Sequence, residues 1–307
     1  MRMKLNKILV PTDFSEASKQ ALPYAEAFAK KFGASVALVY VAPALVAAEF
    51  SRVGIVLDAR LVLEKAQESL AGFRAKELSA SLPVENHIRT GAAYFEIINA
   101  AKEMSTDLII LSTHGRTGLK HFFLGSTAER VVRHAPCPVL TIREQALRVR
   151  FPADSPCGFK RVLVPIDFSE ASHKALSYAS VFAEQCGAEI TLLHVVELPA
   201  YPELGYAHVP MKEAEQKKSA LETLQLAPLA LGENARLIKS TLIRVGNPAQ
   251  EILEEARRGS SDLVVISTHG HGRLRHLLLG STTERVVRHA SCPVLVVREQ
   301  EHEFLTS

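Results

Sequence analysis

The sequence has few cysteines, little excess charge and no long apolar run. The cysteines show neither CxxC spacing nor a pairing pattern, which favours a reducing cytoplasm; the four are Cys137, Cys157, Cys186 and Cys292. The 36 Lys and Arg against 33 Asp and Glu leave a net charge of +3, too small to predict general nucleic-acid binding. The longest apolar run, Val36 to Ala48, is interrupted by Pro43 and is shorter than the ~18 residues of a membrane span. We therefore expect a cytoplasmic protein with no nucleic-acid or membrane partner.

The sequence repeats itself with the period of a whole domain. The segment LVPTDFSEAS at 9–18 returns as LVPIDFSEAS at 163–172, and the segment 112–140 returns at 267–295 with 21 identities in 29 positions. A period of this length indicates duplication of a domain rather than a solenoid. The stretch between the copies contains turn-forming residues without apolar periodicity. We predict domains over 1–145 and 160–300, joined by a linker over 146–159.

Strand and helix patterns alternate within each copy. In copy one the predicted strands are 7–11, 35–41, 84–89, 108–111 and 139–142, and the predicted helices are 15–32, 59–79, 95–104 and 127–134. Ser15 is the expected N-cap of the first helix and Gly33 its terminator. Strands that are apolar on both faces and alternate with helices predict a parallel sheet covered on both sides. The expected fold class is α/β, with two repeated doubly wound domains.

Two segments of each copy should converge at the carboxyl edge of such a sheet, where ligands bind. The first segment follows strand one and comprises Pro11, Thr12 and Asp13 in copy one and Pro165, Ile166 and Asp167 in copy two. The second runs from strand four into a helix and comprises Ser112, His114, Gly115, Arg116, Gly125, Ser126 and Thr127, matched by Ser267, His269, Gly270, Gly280, Ser281 and Thr282. Glycines admit a phosphate close to the backbone, and the N–H groups of a helix start attract an anion. Helix capping alone would explain the same glycines and hydroxyls.

Two common nucleotide-binding motifs are missing from the chain. The sequence has no GxxxxGK[ST], which excludes a P-loop, and no GxGxxG after a first strand, which disfavours a dinucleotide. The blocks that are present, VPTDFS, STHGRTG and LGSTAERVVRHAPCPVL, resemble the universal stress protein family. The resemblance covers both copies and nearly the whole chain.

The resemblance implies a fold and a ligand for each copy. It implies a five-stranded parallel sheet with two helices on each face, an adenine nucleotide alpha hydrolase-like domain. Some family members bind ATP through Gly-x2-Gly-x9-Gly-(Ser/Thr), and this chain keeps all but the first glycine, which Ser112 and Ser267 replace. By similarity, Asp13 and Asp167 meet the ribose, backbone at Val41 and Val195 meets the adenine, and the glycine loops hold the phosphates. The implied ligand is ATP, or AMP or ADP, with Mg held mainly by the phosphates.

Three functions follow from these patterns. The favoured one is a regulatory, ATP-dependent stress-response switch that binds the nucleotide in one or both domains. The others are a slow ATP hydrolase and a nucleotide-free tandem scaffold for protein partners. No catalytic set and no metal site are expected. The histidines are interpreted as structural or solvent-facing, with His114 and His269 as possible phosphate neighbours. The Glu129–Arg133 and Glu284–Arg288 pairs and the Cys137 and Cys292 thiols are interpreted as structural.

The apolar final strands suggest how the copies associate. An exposed apolar edge invites pairing, so we expect an internal pseudo-dimer of the two domains, with a homodimer as a further option. We also expect copy one to bind nucleotide more tightly, because Thr12 can hydrogen-bond where Ile166 cannot and Gly118 aligns with Arg273.

Overall fold

The structure is a computed structural model that describes residues 2–43, 59–113, 124–143, 157–197, 210–268, 279–299, 301 and 305–306. Its contacts divide the chain into two compact units, one for each sequence copy. None of the helices in the described ranges is both long and apolar enough to cross a membrane. The predicted α/β fold with two repeated domains is confirmed.

Copy one is a five-stranded parallel sheet with helices between its strands. The strands are β1 (Lys7–Thr12), β2 (Ser35–Ala42), β3 (Val84–Thr90), β4 (Leu108–Ser112) and β5 (Val139–Ile142). The helices are α1 (Glu16–Lys19), α2 (Leu22–Phe32), α3 (Ala59–Glu77), α4 (Ala93–Glu103) and α5 (Ser126–His134). Neighbouring strands pair in the order β3-β2-β1-β4-β5. A two-residue antiparallel ladder also joins Arg2–Met3 to Leu305–Thr306.

Copy two repeats this arrangement. Its strands are β6 (Arg161–Pro165), β7 (Glu189–Val196), β8 (Ile238–Val245), β9 (Leu263–Ser267) and β10 (Val294–Val297). Its helices are α6 (Glu170–Cys186), α7 (Pro210–Leu226), α8 (Pro248–Arg258) and α9 (Ser281–His289), with a 3-10 segment over Ala227–Leu237. The strand order is β8-β7-β6-β9-β10, the same as in copy one.

The central strands are covered on both faces, as their apolar runs predict. Ile8, Leu9 and Val10 of β1 are fully buried although successive residues of a strand point to opposite faces. A buried aspartate holds the amino edge of each sheet. Asp107 Oδ2 accepts the Asn6 and Lys7 backbone N–H groups at 2.7 and 2.9 Å, and Asp262 does the same for the start of β6. These bonds therefore fix the amino edge of each sheet, which is the edge opposite the expected ligand site.

The first helix differs from the prediction in one copy. The predicted helix 15–32 is split into α1 and α2, and the break comes just before Pro23. Proline has no N–H for an intrahelical bond and its ring clashes with the carbonyl four residues earlier. Copy two has Ser177 at the aligned position, and α6 runs unbroken from Glu170 to Cys186.

The cysteine prediction was wrong for two of the four residues. Cys157 and Cys186 are disulfide-bonded, whereas Cys137 and Cys292 are free and buried as expected. Cysteines can bond at any separation in the sequence, because the fold decides which of them lie close together. The spacing of the cysteines therefore did not indicate this bonding. The cysteine pattern therefore no longer supports a reducing compartment.

Candidate functional site

The strand order reverses at the carboxyl end of the first strand in each copy. In copy one the chain passes from β1 outward to β2 and β3, and returns on the other side of β1 through β4 and β5. The connections on the two sides leave a crevice between the carboxyl ends of β1 and β4. The corresponding crevice of copy two lies between β6 and β9.

A rigid turn presents an aspartate at this crevice. Asp13 follows β1 directly, and its Oδ1 accepts hydrogen bonds from Ser15 N at 3.0 Å and from Ser15 Oγ at 2.5 Å. The Ser15 hydroxyl in turn accepts the Ser18 N–H at 3.1 Å as the N-cap of α1, which confirms the predicted cap. Asp167 is held in the same way, with distances of 3.1 and 2.6 Å to Ser169. Each carboxylate is thus preorganised before any ligand arrives.

The second expected segment follows the neighbouring strand. Ser112 is the last residue of β4, and Gly125 is joined to the following Thr113 by a bond from Gly125 N to Thr113 O of 2.8 Å. A Cβ on Gly125 would approach the same carbonyl oxygen to 3.1 Å, a tight contact that the neighbouring backbone would have to accommodate. Gly280 N bonds Thr268 O in the same way at 2.9 Å. The start of α5 or α9 is therefore fixed against the end of the fourth strand.

The N-cap residues of the helix starts that follow are glycines. The N-cap residues are Gly125 and Gly280, neither of which makes a side-chain cap bond, and Ser126 and Ser281 are the first helical residues. An α-helix leaves the N–H groups of its first turn without intrahelical acceptors. Ser126 and Ser281 are also exposed. Capping therefore does not account for these hydroxyls, and the N–H groups beside them suit an anion.

The second strand extends past the first at the same edge. Pairing of β1 with β2 ends at Thr12 opposite Tyr40, whereas pairing of β2 with β3 continues through Val41 and Ala42. In copy two β7 likewise runs beyond its last partner in β6, and Val195 lies in the overhang. On the side of the second strand that faces the central strand, the backbone groups of these valines consequently lie beyond the end of the central strand.

Several of the residues expected at the site lie outside the described part of the chain or are turned away from the crevice. His114, Gly115, Arg116, His269 and Gly270 lie outside the described residues. Pro11 and Pro165 lie in or at the end of their strands, and Thr127 and Thr282 lie in the first turns of their helices.

The Thr12 side chain takes part in the turn instead of facing a ligand. It is 6% exposed, and its Oγ1 accepts the Phe14 N–H at 3.0 Å and lies 3.1 Å from Ser18 Oγ. Ile166, at the aligned position, is also buried. Any effect of this difference on a ligand would therefore pass through the turn.

The sequence model of the universal stress protein family matches residues 4–143 and 158–298. The chain belongs to the universal stress protein family. A relative called universal stress protein in Mycolicibacterium smegmatis is 30% identical over 303 residues, covering 95% of this chain and 96% of its own. One from Synechocystis is 25% identical, covering 96% of this chain and 100% of its own.

A solved structure of a universal stress protein is similar over nearly the whole chain. A universal stress protein of Archaeoglobus fulgidus matches with a TM-score of 0.67 at 25% identity, covering 96% of this chain and 99% of that one. The resemblance inferred from the repeated sequence blocks is thereby confirmed, and so is the coarse functional assignment to the stress response.

This universal stress protein has further residues at the site that sequence reasoning missed. Phe14 stacks on Tyr40 with ring centroids 4.6 Å apart, and Phe168 lies in the same geometry on His194. The His194 Nδ1 is 2.8 Å from the Ile166 carbonyl oxygen, so this nitrogen carries the proton that is donated. The repetition of the Asp-Phe-Ser triplet in both copies was the available signal.

Arginines beside the overhang are already paired with glutamates. Arg89, opposite Val41, bonds Glu103, and this bond raises the pKa of the arginine and lowers that of the glutamate. Arg244, opposite Val195, bonds Glu255 at 2.7 Å. These arginines therefore brace the outer strands.

The two Glu–Arg pairs and the free cysteines agree with their structural interpretation. Arg133 donates to Glu129 at 2.8 Å, and the matching pair in α9 is 2.6 Å apart, so both support their helices. Burial, together with the charge of Asp262, raises the pKa of the Cys292 thiol to about 12. That thiol is consequently protonated and unreactive at neutral pH.

Proposed function

We propose that each domain binds an adenine nucleotide, ATP in the first place, and that the protein is a regulatory switch of the stress response in the cytoplasm. The observation that carries this proposal is repeated in both copies. A fixed carboxylate and a helix start whose N-cap residue is a glycine lie on adjacent strand ends at the reversal point of the sheet. These two groups suit the two ends of a nucleotide, a sugar with hydroxyl donors and a chain of phosphates.

Each part of the ligand has a matching feature. Asp13 can accept from ribose hydroxyls, because a carboxylate is an acceptor and this one is already oriented by Ser15. Phosphates can lie at the start of α5, where N–H groups and the Ser126 hydroxyl are donors. The base can reach backbone groups at Val41 in the overhang of β2. Mg would enter with the nucleotide, held mainly by phosphate oxygens.

Binding is favoured over catalysis by the bonds of the aspartate. Asp13 is bonded to its serine, whose hydroxyl both donates to the carboxylate and accepts from the Ser18 backbone N–H. A general base or a nucleophile needs a partner that takes or activates a proton from the substrate. The bonds between Asp13 and Ser15 orient a carboxylate, and the Ser15 hydroxyl caps a helix. This supports a switch with little turnover rather than an ATP hydrolase.

Calorimetry with Mg-ATP tests the proposal directly. We expect two sites per chain in the wild type and clear weakening in the double variant Ser126→Ala with Ser281→Ala. The melting temperature without ligand should be unchanged, because neither hydroxyl caps its helix. The matched control is Ser69→Ala, an exposed serine within α3, which should leave both quantities unaltered. Absence of ATP binding by the wild type, or full affinity in the double variant, would contradict the proposal.

A further inference from the structure

Four non-glycine residues of the described chain adopt a left-handed backbone, and they form two matched pairs. Ser105 and Ser260 have φ of 49° and 48°, and Phe14 and Phe168 have φ of 64° and 66°. The two serines follow α4 and α8 at the amino edge of the sheet, where helices commonly end in this conformation. The two phenylalanines lie at the carboxyl edge, beside the aspartates of the proposed nucleotide site.

A phenylalanine is a poor choice for this conformation. Left-handed residues are normally glycine or asparagine, and for a bulky residue the conformation is a strained outlier. Strain of this kind persists only where surrounding contacts over-determine it, and it concentrates at functional sites. Both copies keep a phenylalanine at this position although α1 and α6 differ in length.

The contacts of the ring show what over-determines the turn. Phe14 lies between Asp13 and Ser15, the two residues whose side chain and backbone close the turn. Its ring stacks on Tyr40 at 4.6 Å and meets Phe73 of α3 edge-on at 5.4 Å. Phe168 stacks on His194 at the same distance and angle.

The ring therefore connects the two halves of the site. Tyr40 and His194 immediately precede the valines of the strand overhang. One side chain consequently bridges the turn that carries the aspartate and the strand end proposed for the base.

We propose that Phe14 and Phe168 are positioning residues for the nucleotide. The left-handed backbone aims the aspartate into the crevice, and the aromatic stack locks that turn to the end of the second strand. The ribose and base positions are thereby held at a fixed separation before the ligand binds. This inference rests on the proposed function, and it names residues that need not touch the ligand.

Glycine substitutions separate positioning from packing. In the double variant Phe14→Gly with Phe168→Gly, the left-handed turn becomes unstrained but is no longer held by a ring. We expect ATP affinity to fall by at least about tenfold, because the turn then samples other conformations. The melting temperature without ligand should fall, because relief of strain offsets only part of the lost ring contacts and of the entropy that glycine adds to the unfolded chain. The conservative variant Phe14→Tyr with Phe168→Tyr keeps the stack and should retain wild-type affinity.

Ser105→Gly with Ser260→Gly is the matched control. It relieves the same backbone conformation at the opposite edge of the sheet, so ATP affinity should not change. Hydrogen exchange of the Ser15 and Ser169 amides gives a readout that needs no ATP. Both amides are bonded to aspartate in the turn. They should exchange faster in the phenylalanine-to-glycine variant and at the normal rate in the control.

The outcomes distinguish this inference from the proposed function. Unchanged ATP affinity in the phenylalanine-to-glycine variant would overturn the positioning role. So would equal losses of melting temperature and affinity in the glycine and tyrosine variants, which would indicate packing alone. If the wild type binds no ATP but the two amides still exchange faster, the proposed nucleotide is wrong and the positioning of the aspartate stands. If their exchange is also unchanged, both ideas fail.

Discussion

Replacing the turn aspartate by its amide, Asp13→Asn, removes charge while keeping the acceptor oxygen. In the structure this carboxylate accepts two hydrogen bonds from Ser15, which an asparagine Oδ1 can also accept. The turn should therefore survive. Each of the two charge-assisted hydrogen bonds loses up to ~1 kcal/mol when it becomes neutral. Because Asp13 is partly exposed, we expect the free energy of unfolding to fall by about 1–2 kcal/mol.

The effect on the ligand should be larger than the effect on the fold. If the carboxylate receives both ribose hydroxyls, loss of charge assistance costs ~2 kcal/mol of binding free energy, or roughly thirtyfold in Kd. Calorimetry at low salt on Asp13→Asn, with copy two left intact, should show one weakened site and one normal site. The melting temperature without ligand should fall by only a few degrees.

The control for this variant is Asp107→Asn. Asp107 also accepts two hydrogen bonds, but it does so at the amino edge of the same sheet. We expect it to lower the free energy of unfolding at least as much as Asp13→Asn does, because Asp107 is 3% exposed, without changing ATP affinity. Unchanged affinity in Asp13→Asn, or equal losses of affinity in both variants, would refute the placement of the ribose at Asp13.

The remaining predictions concern the glycines, the inequality of the copies and their association. The double variant Gly125→Val with Gly280→Val should abolish the Mg-ATP shift in thermal melts. It should also destabilise the ligand-free protein through the close carbonyl contact at Gly125. A folded double variant that keeps the wild-type shift would exclude these loops as the phosphate site. Calorimetry on Asp13→Ala and Asp167→Ala separately should show the greater loss for Asp13, and equal losses would refute tighter binding by copy one. Limited proteolysis within 143–159 should leave two halves that co-elute, and their clean separation under native conditions would contradict an internal pseudo-dimer.

The sequence predicted the architecture because the repeat and the apolar periodicity are local properties. Each strand of copy one lies within a residue or two of its predicted position, and the predicted terminator Gly33 is the left-handed C-cap of α2. The break between α1 and α2 could also be predicted from the sequence, because a proline within a helical pattern marks a break. It was missed because the apolar spacing continues across it.

Other features could not be read from spacing. The left-handed backbone of Phe14 depends on a stacking partner 26 positions away along the chain, so no local pattern indicates it. The bonded state of Cys157 and Cys186 likewise depends on the fold. The sequence leaves open whether Ser126 caps its helix or binds an anion. The structure has Gly125 at the N-cap position, and anion binding at Ser126 stays a prediction.

The most direct test of the account is the identity of any small molecule that the protein carries. The protein should be purified without added nucleotide and denatured, and the released material should be measured by mass spectrometry. The account predicts an adenine nucleotide, reduced in amount in Asp13→Asn with Asp167→Asn and unchanged in Asp107→Asn. Release of no adenine nucleotide, together with no uptake after incubation with Mg-ATP, would contradict the central claim.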